Sequence, residues 1–317
     1  MQSVFLDYQT FSPELELSSL HQAVDELTLY ATTTPEQVIS RCLNATIILT
    51  NKVELSREIL SQLPQLKLIC ITATGINNVD IEAARELNIA VTNVSGYAKN
   101  SVAQYVFAQL LSYYSEIEDH NSNSRNGLWQ ESKTFCLHGK GSIELAGKSI
   151  AIIGYGALGQ KVADIARAFD MQVLIAERPD ATEVRPNRVA FLQAIAQADI
   201  ISLHCPQTTA TQGMFNAELF SRMKPEAILI NTARGALINN QDLLNALNAK
   251  QFACAILDVL EQEPPPKDHI LLAAQSDKLK ITAHIAWASR QAQQALIALV
   301  AANITVFKQG LRINRVD

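Results

Sequence analysis

The sequence is poor in the residues that build disulfide frameworks and metal sites. Its five cysteines are scattered along the chain without a CxxC pair, and its six histidines show no HExxH spacing. Unclustered cysteines in an odd number are typical of reduced thiols, so the pattern predicts a cytoplasmic protein with no metal site. The cysteines are Cys42, Cys70, Cys136, Cys205 and Cys254.

Long apolar runs and an excess of basic charge are also absent. No apolar stretch approaches the roughly 18 residues that cross a bilayer. The N-terminus, MQSVFLDYQTF, lacks the charged-then-apolar pattern of a signal peptide. A net charge of −5 gives no reason to expect a nucleic acid or an anionic membrane as a partner.

The chain does have an ordinary globular composition and enough length for two domains. It contains 317 residues, 48% of them hydrophobic and 18% charged. Strand-like and helix-like segments alternate, which predicts parallel sheets covered by helices. Long helices are predicted at 101–117 and 289–310. Strands are predicted at 3–8, 27–31, 45–50, 67–72 and 89–93, and then at 148–154, 171–177, 198–205, 226–232, 252–259 and 279–284.

The strongest local motif is GYGALG. Its glycines, Gly154, Gly156 and Gly159, directly follow the apolar strand SIAII and precede a helical pattern. Such glycines permit a tight turn, close approach of a pyrophosphate and close packing of helix on strand, while the helix N-terminus stabilises phosphate charge. The motif therefore predicts dinucleotide binding in a doubly wound sheet.

An acidic residue, Glu177, ends the second strand of this unit, eighteen residues after Gly159. A carboxylate at this place accepts hydrogen bonds from the ribose hydroxyls and repels a 2′-phosphate, so NAD is the predicted cofactor. The neighbouring Arg178 is able to pair with that phosphate, which keeps NADP open.

Three later strands end in residues that can do chemistry. Arg234 has forked donors that suit a planar carboxylate, the alternative being a surface arginine on a loop. Asp258, Glu261 and Glu263 follow the next strand, where any of them can simply be solvated. His284, in ITAHIAWAS, is either a proton carrier or a core histidine with a hydrogen bond. Because strand carboxyl ends face the ligand crevice in such sheets, the chemical role is favoured.

Together these residues suit hydride transfer to or from a substrate that carries a carboxylate. Oxidation of an alcohol needs a base for the hydroxyl proton as the hydride leaves for a nicotinamide, and histidine fits that task. A carboxylate hydrogen-bonded to the other ring nitrogen would orient the histidine and stabilise its charged form.

The chain resembles the D-isomer-specific 2-hydroxyacid dehydrogenase family over nearly its whole length. GYGALG, HCPQTTATQGMFN, MKPEAILINTARGALI, LDVLEQEPPP and HIAWAS occur in the order and spacing of that family. TATGINNVDIEAA and SGYAKNSVAQYVFAQLL resemble its substrate-loop and interdomain-helix segments. SVAQ and HIAWAS are most similar to the glycerate dehydrogenase/hydroxypyruvate reductase branch.

The resemblance implies an α/β fold of two Rossmann-like domains, one flavodoxin-like and one doubly wound and dinucleotide-binding, with a cleft between them. A substrate-binding domain would comprise 1–100 plus 288–317, and an NAD(P)-binding domain would comprise 101–287. The resemblance also implies a homodimer, which the polar segment 118–145 would help to form.

The resemblance further implies roles for individual residues. Arg234 would hold the substrate, His284 would exchange the proton, and Glu263 would tune His284. Backbone amides around Thr74 and Gly75 would bind the substrate carboxylate from the other domain. Asp258 would meet the nicotinamide amide. The residues implied to bind the cofactor are Gly154, Gly156, Ala157, Leu158, Gly159, Glu177, Cys205, Pro206, Thr211, Thr232, Ala233, Arg234, Asp258 and His284.

Some positions depart from the family pattern or stay open. Ala283 stands where the family commonly has proline, which predicts a less rigid loop around His284. Gln104 replaces an acid common in other branches. Asn51 and Lys52 are interpreted as part of a solvated loop, with substrate contact as the alternative. Trp287 either walls the pocket or packs structurally.

The expected activity is NAD(P)-dependent interconversion of a small 2-oxo acid, of the hydroxypyruvate or glyoxylate type, and the D-2-hydroxy acid. The alternatives are a D-lactate- or phosphoglycerate-type dehydrogenase and a dinucleotide-sensing, corepressor-like binding protein. The compact length argues against the last of these, and the lack of a C-terminal regulatory domain argues against a phosphoglycerate substrate.

Overall fold

The structure is a computed structural model that describes residues 1–139, 141–274 and 276–317. It divides the chain into two compact units, Met1–Ala98 with Trp287–Asp317, and Lys99–Ala286. The sequence predicts these divisions after residue 100, two residues later than Ala98, and after residue 287, one residue later than Ala286. Both units are built on parallel sheets flanked by helices.

The first unit, in its described residues, contains a five-stranded parallel sheet with the strand order β2-β1-β3-β4-β5. Its central strands are buried along their whole length because apolar side chains pack on both faces, as expected for a parallel sheet. The elements are β1 (Gln2–Phe5), α1 (Ser18–Ala23), β2 (Glu26–Leu29), α2 (Pro35–Cys42), β3 (Ile47–Thr50), α3 (Arg57–Leu60), β4 (Leu68–Ile71), α4 (Ile81–Glu86) and β5 (Ala90–Thr92).

The second unit contains a parallel sheet that is six-stranded in the described residues, with the order β11-β10-β9-β8-β6-β7. The elements are α5 (Lys99–Ser115), α6 (Ile117–Arg125), β6 (Ser149–Ile153), α7 (Ala157–Ala168), β7 (Gln172–Ile175), α8 (Phe191–Gln197), β8 (Ile200–Leu203), α9 (Ala217–Phe220), β9 (Ile228–Asn231), α10 (Asn240–Asn248), β10 (Cys254–Leu257), α11 (Ile270–Ala273) and β11 (Leu279–Ile281).

A parallel bridge between Ala176 and Val189 extends this sheet beyond β7. The strands of this unit can be renumbered from β6 as strand 1, with the segment at Val189 as strand 3. The spatial order across the sheet is then 3-2-1-4-5-6-7, which is the doubly wound arrangement. The order reverses between β6 and β8. Ligands of such sheets bind outside the carboxyl ends of the strands at this reversal.

The final helix, α12 (Arg290–Lys308), belongs to the first unit. Ser289 caps it by accepting a hydrogen bond from the Ala292 amide at 3.2 Å. Its buried residues, including Leu296 and Ile304, join the same apolar cluster as the sheet. The predicted helix 289–310 is therefore correct to within two residues at each end. Among the helices that the structure describes, none combines the length and the apolar character needed to span a bilayer.

Two expectations from the sequence need correction here. The strand predicted at 279–284 ends at Ile281. The amides of Thr282 and His284 still donate to the Leu257 and Asp258 carbonyls at the end of β10, but the chain turns at His284, where φ is +54°. Asn51 is not solvated. It is 6% exposed, and its amide donates to the buried Asp7 carboxylate at 2.9 Å. Lys52 is exposed, as expected.

Candidate active site

The glycine loop after β6 has no room for side chains at two of its positions. Gly154 has φ +98°, and a Cβ there would lie 2.5 Å from the backbone nitrogen of Cys205. A Cβ on Gly159 would overlap the Gly154 carbonyl. These two glycines are therefore required for β6, β8 and α7 to meet this closely at the sheet reversal.

The N-terminus of α7 is open at this same loop. Gly156 is the N-cap, makes no side-chain capping bond, and has open space around the position of a Cβ. The amides of Ala157, Leu158 and Gly159 belong to the first turn, where no intrahelical acceptor exists. An uncapped twelve-residue helix that begins at a glycine turn fits a pyrophosphate.

Buried polar atoms without a protein partner flank the reversal. Among the described residues, His204 Nδ1 after β8 and Thr232 Oγ1 after β9 are inaccessible and make no hydrogen bond. The other ring nitrogen of His204 lies 2.9 Å from the Ser202 hydroxyl, and burial lowers the pKa of His204 to about 4, so the ring is neutral. Such orphan atoms are expected where a ligand or water completes the bonding.

The segment after β8 is held by side chains as well as backbone. The Thr211 hydroxyl, on a residue 9% exposed, donates to the Pro206 carbonyl at 2.9 Å, so Thr211 supports this turn. Cys205 is half-buried, and burial raises the pKa of its thiol to about 11, which keeps it protonated. The predicted cofactor contacts of these residues stay predictions.

The Glu177 carboxylate is buried and already paired. It is 3% exposed, and it accepts hydrogen bonds from Arg185 Nε at 2.8 Å and Nη2 at 2.5 Å. It also accepts the Arg178 amide at 2.9 Å, and Arg188 Nη1 lies 3.8 Å away. The Arg185 guanidinium is the main cause that lowers the pKa of Glu177. The predicted ribose contact of Glu177 would require this pair to open.

Arg234 follows β9 on a loop held close to the neighbouring strand. A Cβ on Gly235 would overlap the backbone of Leu260, so glycine is required at that position. Asn231 fixes the turn by accepting the Ala233 amide at 3.0 Å and donating to the Arg234 carbonyl at 2.8 Å. The half-buried Arg234 side chain is thereby held at the carboxyl end of the sheet.

His284 and Glu263, predicted together, form a pair. His284 Nδ1 lies 2.6 Å from Glu263 Oε2, and the side chains are 27% and 31% exposed. Glu263 Oε1 accepts the Leu260 amide at 3.0 Å, which orients the carboxylate. An ionised Glu263 carboxylate only accepts, so with Glu263 ionised the proton between the two groups lies on Nδ1 and Nε2 is left for proton exchange.

Asp258 holds the loop that carries His284. Its carboxylate, on a residue 1% exposed, accepts the Thr282 hydroxyl at 2.6 Å and the amides of Ile285 and Ala286 at 2.9 and 2.8 Å. Its carbonyl accepts the His284 amide at 2.8 Å. These bonds hold His284 at φ +54°, a left-handed conformation that non-glycine residues rarely adopt.

Helix α5 adds a second support to the same loop. Tyr105 Oη lies 2.6 Å from the Thr282 hydroxyl, and Ser101 donates to the Ala286 carbonyl at 2.7 Å. Burial raises the pKa of Tyr105, so its hydroxyl stays protonated and can donate to Thr282. Side-chain bonds thus restrain the loop in which Ala283 stands in place of a proline.

A second carboxylate–histidine pair lies on the turn after β10, and its histidine was not among the residues predicted from the sequence. His269 is 6% exposed, its Nε2 lies 3.2 Å from both Glu261 oxygens, and its Nδ1 accepts the Leu271 amide at 3.3 Å. Asn240 donates to the same carboxylate. This pair is structural, since it caps α11 and ties the turn to α10. Sequence spacing alone does not tell which of Glu261 and Glu263 pairs with His284.

The predicted substrate-binding residues of the first unit lie at the end of β4. Thr74 is exposed and its hydroxyl donates to the Val94 carbonyl at 2.9 Å, while Gly75 is half-buried. Trp287 packs edge-on against Phe11 and Tyr97, with ring centroids 5.7 and 6.3 Å away, so it has a structural role in this unit.

No metal centre is found in residues 1–139, 141–274 and 276–317. They contain no group of three or more histidine, cysteine, aspartate or glutamate side chains that could hold an ion.

The Asp258 contacts give a prediction about stability. We expect Asp258→Asn to lower the free energy of unfolding by about 2–4 kcal/mol, because loop donors lose a charged acceptor in a buried place. Denaturant titration measures this change. Asp268→Asn is the matched control. Asp268 is exposed on the turn between β10 and α11, and the change should alter the free energy of unfolding by less than about 0.5 kcal/mol. Equal stabilities of the two variants would contradict the role of Asp258.

Comparison with known proteins places the chain in a family. Residues 107–286 match the model described as D-isomer specific 2-hydroxyacid dehydrogenase, NAD binding domain. A glycerate dehydrogenase from Methylorubrum extorquens is 39% identical over 289 residues, which cover 90% of each chain. A hydroxypyruvate reductase from Blautia hydrogenotrophica is 36% identical over 324 residues, which cover 100% of each chain.

A solved structure also matches the whole chain. The acyclic imino acid reductase Bsp5, in complex with NADPH and D-Arg, superposes with a TM-score of 0.86 at 25% identity and covers 100% of both chains. With the match to the family model and the relatives above, the chain belongs to the D-isomer specific 2-hydroxyacid dehydrogenase family and is an oxidoreductase with an NAD-binding domain.

Proposed function

We propose that the chain reduces a small 2-oxo acid of the hydroxypyruvate or glyoxylate type to the D-2-hydroxy acid with NADH. The observation that carries this proposal is the 2.6 Å pair of His284 and Glu263, held at the end of the same sheet that carries the glycine loop. The glycerate dehydrogenase and the hydroxypyruvate reductase that match the chain support this substrate class.

The residues proposed as catalytic follow three adjacent strands. Arg234 follows β9, Glu263 follows β10 and His284 follows β11, and these strands are neighbours in the sheet. Their parallel direction brings the three residues to one edge. Arg234 would bind the substrate carboxylate through its forked donors.

A bound NADH would supply the hydride for the carbonyl carbon. His284 Nε2 would give its proton to the carbonyl oxygen, so that one hydride and one proton convert the carbonyl group to the alcohol. Glu263 keeps the ring oriented through Nδ1 and stabilises the imidazolium before the proton is given. In the reverse direction His284 takes the hydroxyl proton.

Other residues are proposed to bind substrate or cofactor. Thr74 and Gly75 would offer backbone amides to the substrate carboxylate. Asp258, whose described bonds hold the His284 loop, would act on the cofactor mainly by positioning that loop. The cofactor-binding residues proposed are Gly154, Gly156, Ala157, Leu158, Gly159, Cys205, Pro206, Thr211, Thr232 and Ala233.

A substrate panel tests the proposed activity directly. We expect NADH oxidation with hydroxypyruvate or glyoxylate to exceed that with pyruvate or 3-phosphohydroxypyruvate in kcat/KM. His284→Asn should lower kcat by at least about 10²-fold, because the proton donor is lost, with little change in NADH affinity. His21→Asn, an exposed position on α1, is the control. Tight NADH binding without turnover of any 2-oxo acid would favour a dinucleotide-sensing protein instead.

Glu263 is tested by an isosteric change. Glu263→Gln should lower kcat by about 10²-fold or more while leaving the fold intact, because an amide cannot stabilise the imidazolium as a carboxylate does. Glu261→Gln is the matched control, since Glu261 also contacts a histidine on the same turn but is structural. A similar kcat for both variants would refute the role given to Glu263.

A homodimer is the assembly we propose. Between Ile117 and Ile143 five large apolar side chains are more than 45% exposed, and they are Ile117, Leu128, Trp129, Phe135 and Ile143. An open groove of about 580 Å³ between α5 and α7 is lined partly by Phe107, Leu111 and Ile165. Exposed apolar surface of this kind is typical of interaction sites, and a second copy of the chain would cover it.

Sedimentation or light scattering tests the assembly. We expect a dimer for the wild-type chain and a shift towards monomer for Phe135→Asp, because a charge would be buried in the interface. Leu192→Asp, at a position 47% exposed on α8, should leave the dimer unchanged. A wild-type monomer at micromolar concentration would refute this part of the proposal. The cytoplasmic location stays a prediction from the cysteine pattern.

A further inference from the structure

The loop that carries His284 has little packing to hold it. It runs from Thr282 to Ala286, and of its residues only Ala286 is buried. Ala283 and Ile285 are exposed, and His284 has a left-handed conformation that costs free energy. Such a conformation persists only where the surrounding structure fixes it. Hydrogen bonds rather than apolar contacts must therefore determine where the His284 ring points.

Two side chains of α5 bond to the two ends of this loop. Ser101 and Tyr105 have i,i+4 spacing and so lie one turn apart on the same face of the helix. Tyr105 Oη lies 2.6 Å from the Thr282 hydroxyl at the start of the loop. The Ser101 hydroxyl donates to the Ala286 carbonyl, at the end of the loop, at 2.7 Å. The helix therefore holds the loop on both sides of His284.

The hydrogen bonds that begin at Tyr105 have a fixed direction. The Thr282 hydroxyl has one proton, which it donates to the Asp258 carboxylate at 2.6 Å. The Thr282 oxygen can then only accept from Tyr105, and burial raises the pKa of Tyr105, so that its phenol stays protonated. Bonds in such a chain polarise one another, so the Tyr105 phenol strengthens the contact between Thr282 and Asp258.

Asp258 transmits this restraint to His284. The carboxylate oxygen that accepts the Thr282 hydroxyl also accepts the Ile285 amide at 2.9 Å. The backbone carbonyl of Asp258 accepts the His284 amide at 2.8 Å. A shift of Thr282 therefore disturbs the bonds around His284, whose Nδ1 lies 2.6 Å from Glu263. Proton transfer depends on such geometry, because a misplacement of about 1 Å can cost about 10²-fold in rate.

We infer that Tyr105 is a positioning residue that holds His284 in place for proton transfer. It acts through the bonds to Thr282 and Asp258, while Ser101 fixes the other end of the loop. This inference rests on the proposed function, because His284 is the residue proposed to exchange the proton. The loop is separate from the residue proposed to bind the substrate carboxylate, so loss of the restraint should lower kcat with little change in KM.

Tyr105→Phe tests the inference because it removes the phenol and keeps the ring. We expect kcat to fall about 10-fold and KM to change by less than about 3-fold, since His284 loses its placement while the groups that bind substrate stay. Tyr113→Phe is the matched control and should leave kcat unchanged. Tyr113 is a half-buried tyrosine of the same helix that contacts Tyr114 and Lys280 through its ring. A kcat of Tyr105→Phe within about 2-fold of the wild type would overturn the inference.

Ala283→Pro separates a positioning role from a purely structural one. Proline fixes its own φ and restricts the residue before it, here Thr282. Ala283 is exposed, and among the hydrogen bonds of the described residues its amide donates none, so a proline there costs no bond. In the Tyr105→Phe background, Ala283→Pro should restore kcat to within about 3-fold of the wild type, because the loop is again restrained. A folded double variant as slow as Tyr105→Phe would contradict the inference.

Hydrogen exchange followed by mass spectrometry tests the restraint without substrate or cofactor. The amides of His284 and Ile285 are bonded to Asp258, so their exchange reports how often the loop opens. We expect this segment to exchange at least about 5-fold faster in Tyr105→Phe than in the wild type or in Tyr113→Phe. Equal exchange rates in the three chains would show that Tyr105 does not restrain the loop, and the inference would be wrong.

The outcomes also separate this inference from the proposed function. A wild-type chain that reduces no 2-oxo acid would refute the proposed function, and the exchange rates would still decide whether Tyr105 restrains the loop. Wild-type turnover of a 2-oxo acid together with an unchanged kcat in Tyr105→Phe would overturn the inference alone.

Discussion

The buried carboxylate of Asp258 is the contact on which the candidate site depends. The Asp258 side chain accepts hydrogen bonds from two backbone amides and a hydroxyl of the segment that follows β11. The backbone carbonyl of Asp258 accepts the amide of His284. The bonds turn the chain out of the sheet and hold His284 in a left-handed conformation. Its Nδ1 thereby lies within 2.6 Å of Glu263. Without this acceptor, the donors of the loop would be buried without partners.

Close packing at the sheet reversal shapes the glycine loop in a comparable way. Gly154 lets β6 approach the start of the segment after β8, and Gly159 lets α7 lie directly on that turn. Among the residues that the structure describes, His204 Nδ1 after β8 and Thr232 Oγ1 after β9 are also buried without partners. The shape of the glycine loop, which fits a pyrophosphate, therefore follows from one geometric constraint, the lack of room for a Cβ at Gly154 and Gly159.

Carboxylate–arginine and carboxylate–histidine pairs in this chain have different roles although their residues look alike in sequence. Glu263 meets a half-exposed histidine, whereas Glu261, two residues earlier, meets a buried one that caps a helix. Glu177 resembles a ribose-binding acid in position but is covered by Arg185. Exposure and the identity of the partner, both properties of the folded chain, separate these acids.

The α/β class, the alternation of strands and helices, the glycine loop and the placement of Arg234, Glu263 and His284 at strand ends follow from the sequence. They do so because period, glycine spacing and chain order are local properties. Only the tertiary structure decided which acid pairs with which cation and that Asn51 is buried. It also decided the support of the loop at Ala283 by Tyr105 and the role of His269. Those contacts join residues as far apart as Tyr105 and Thr282, 177 positions along the chain, and no local pattern contains them.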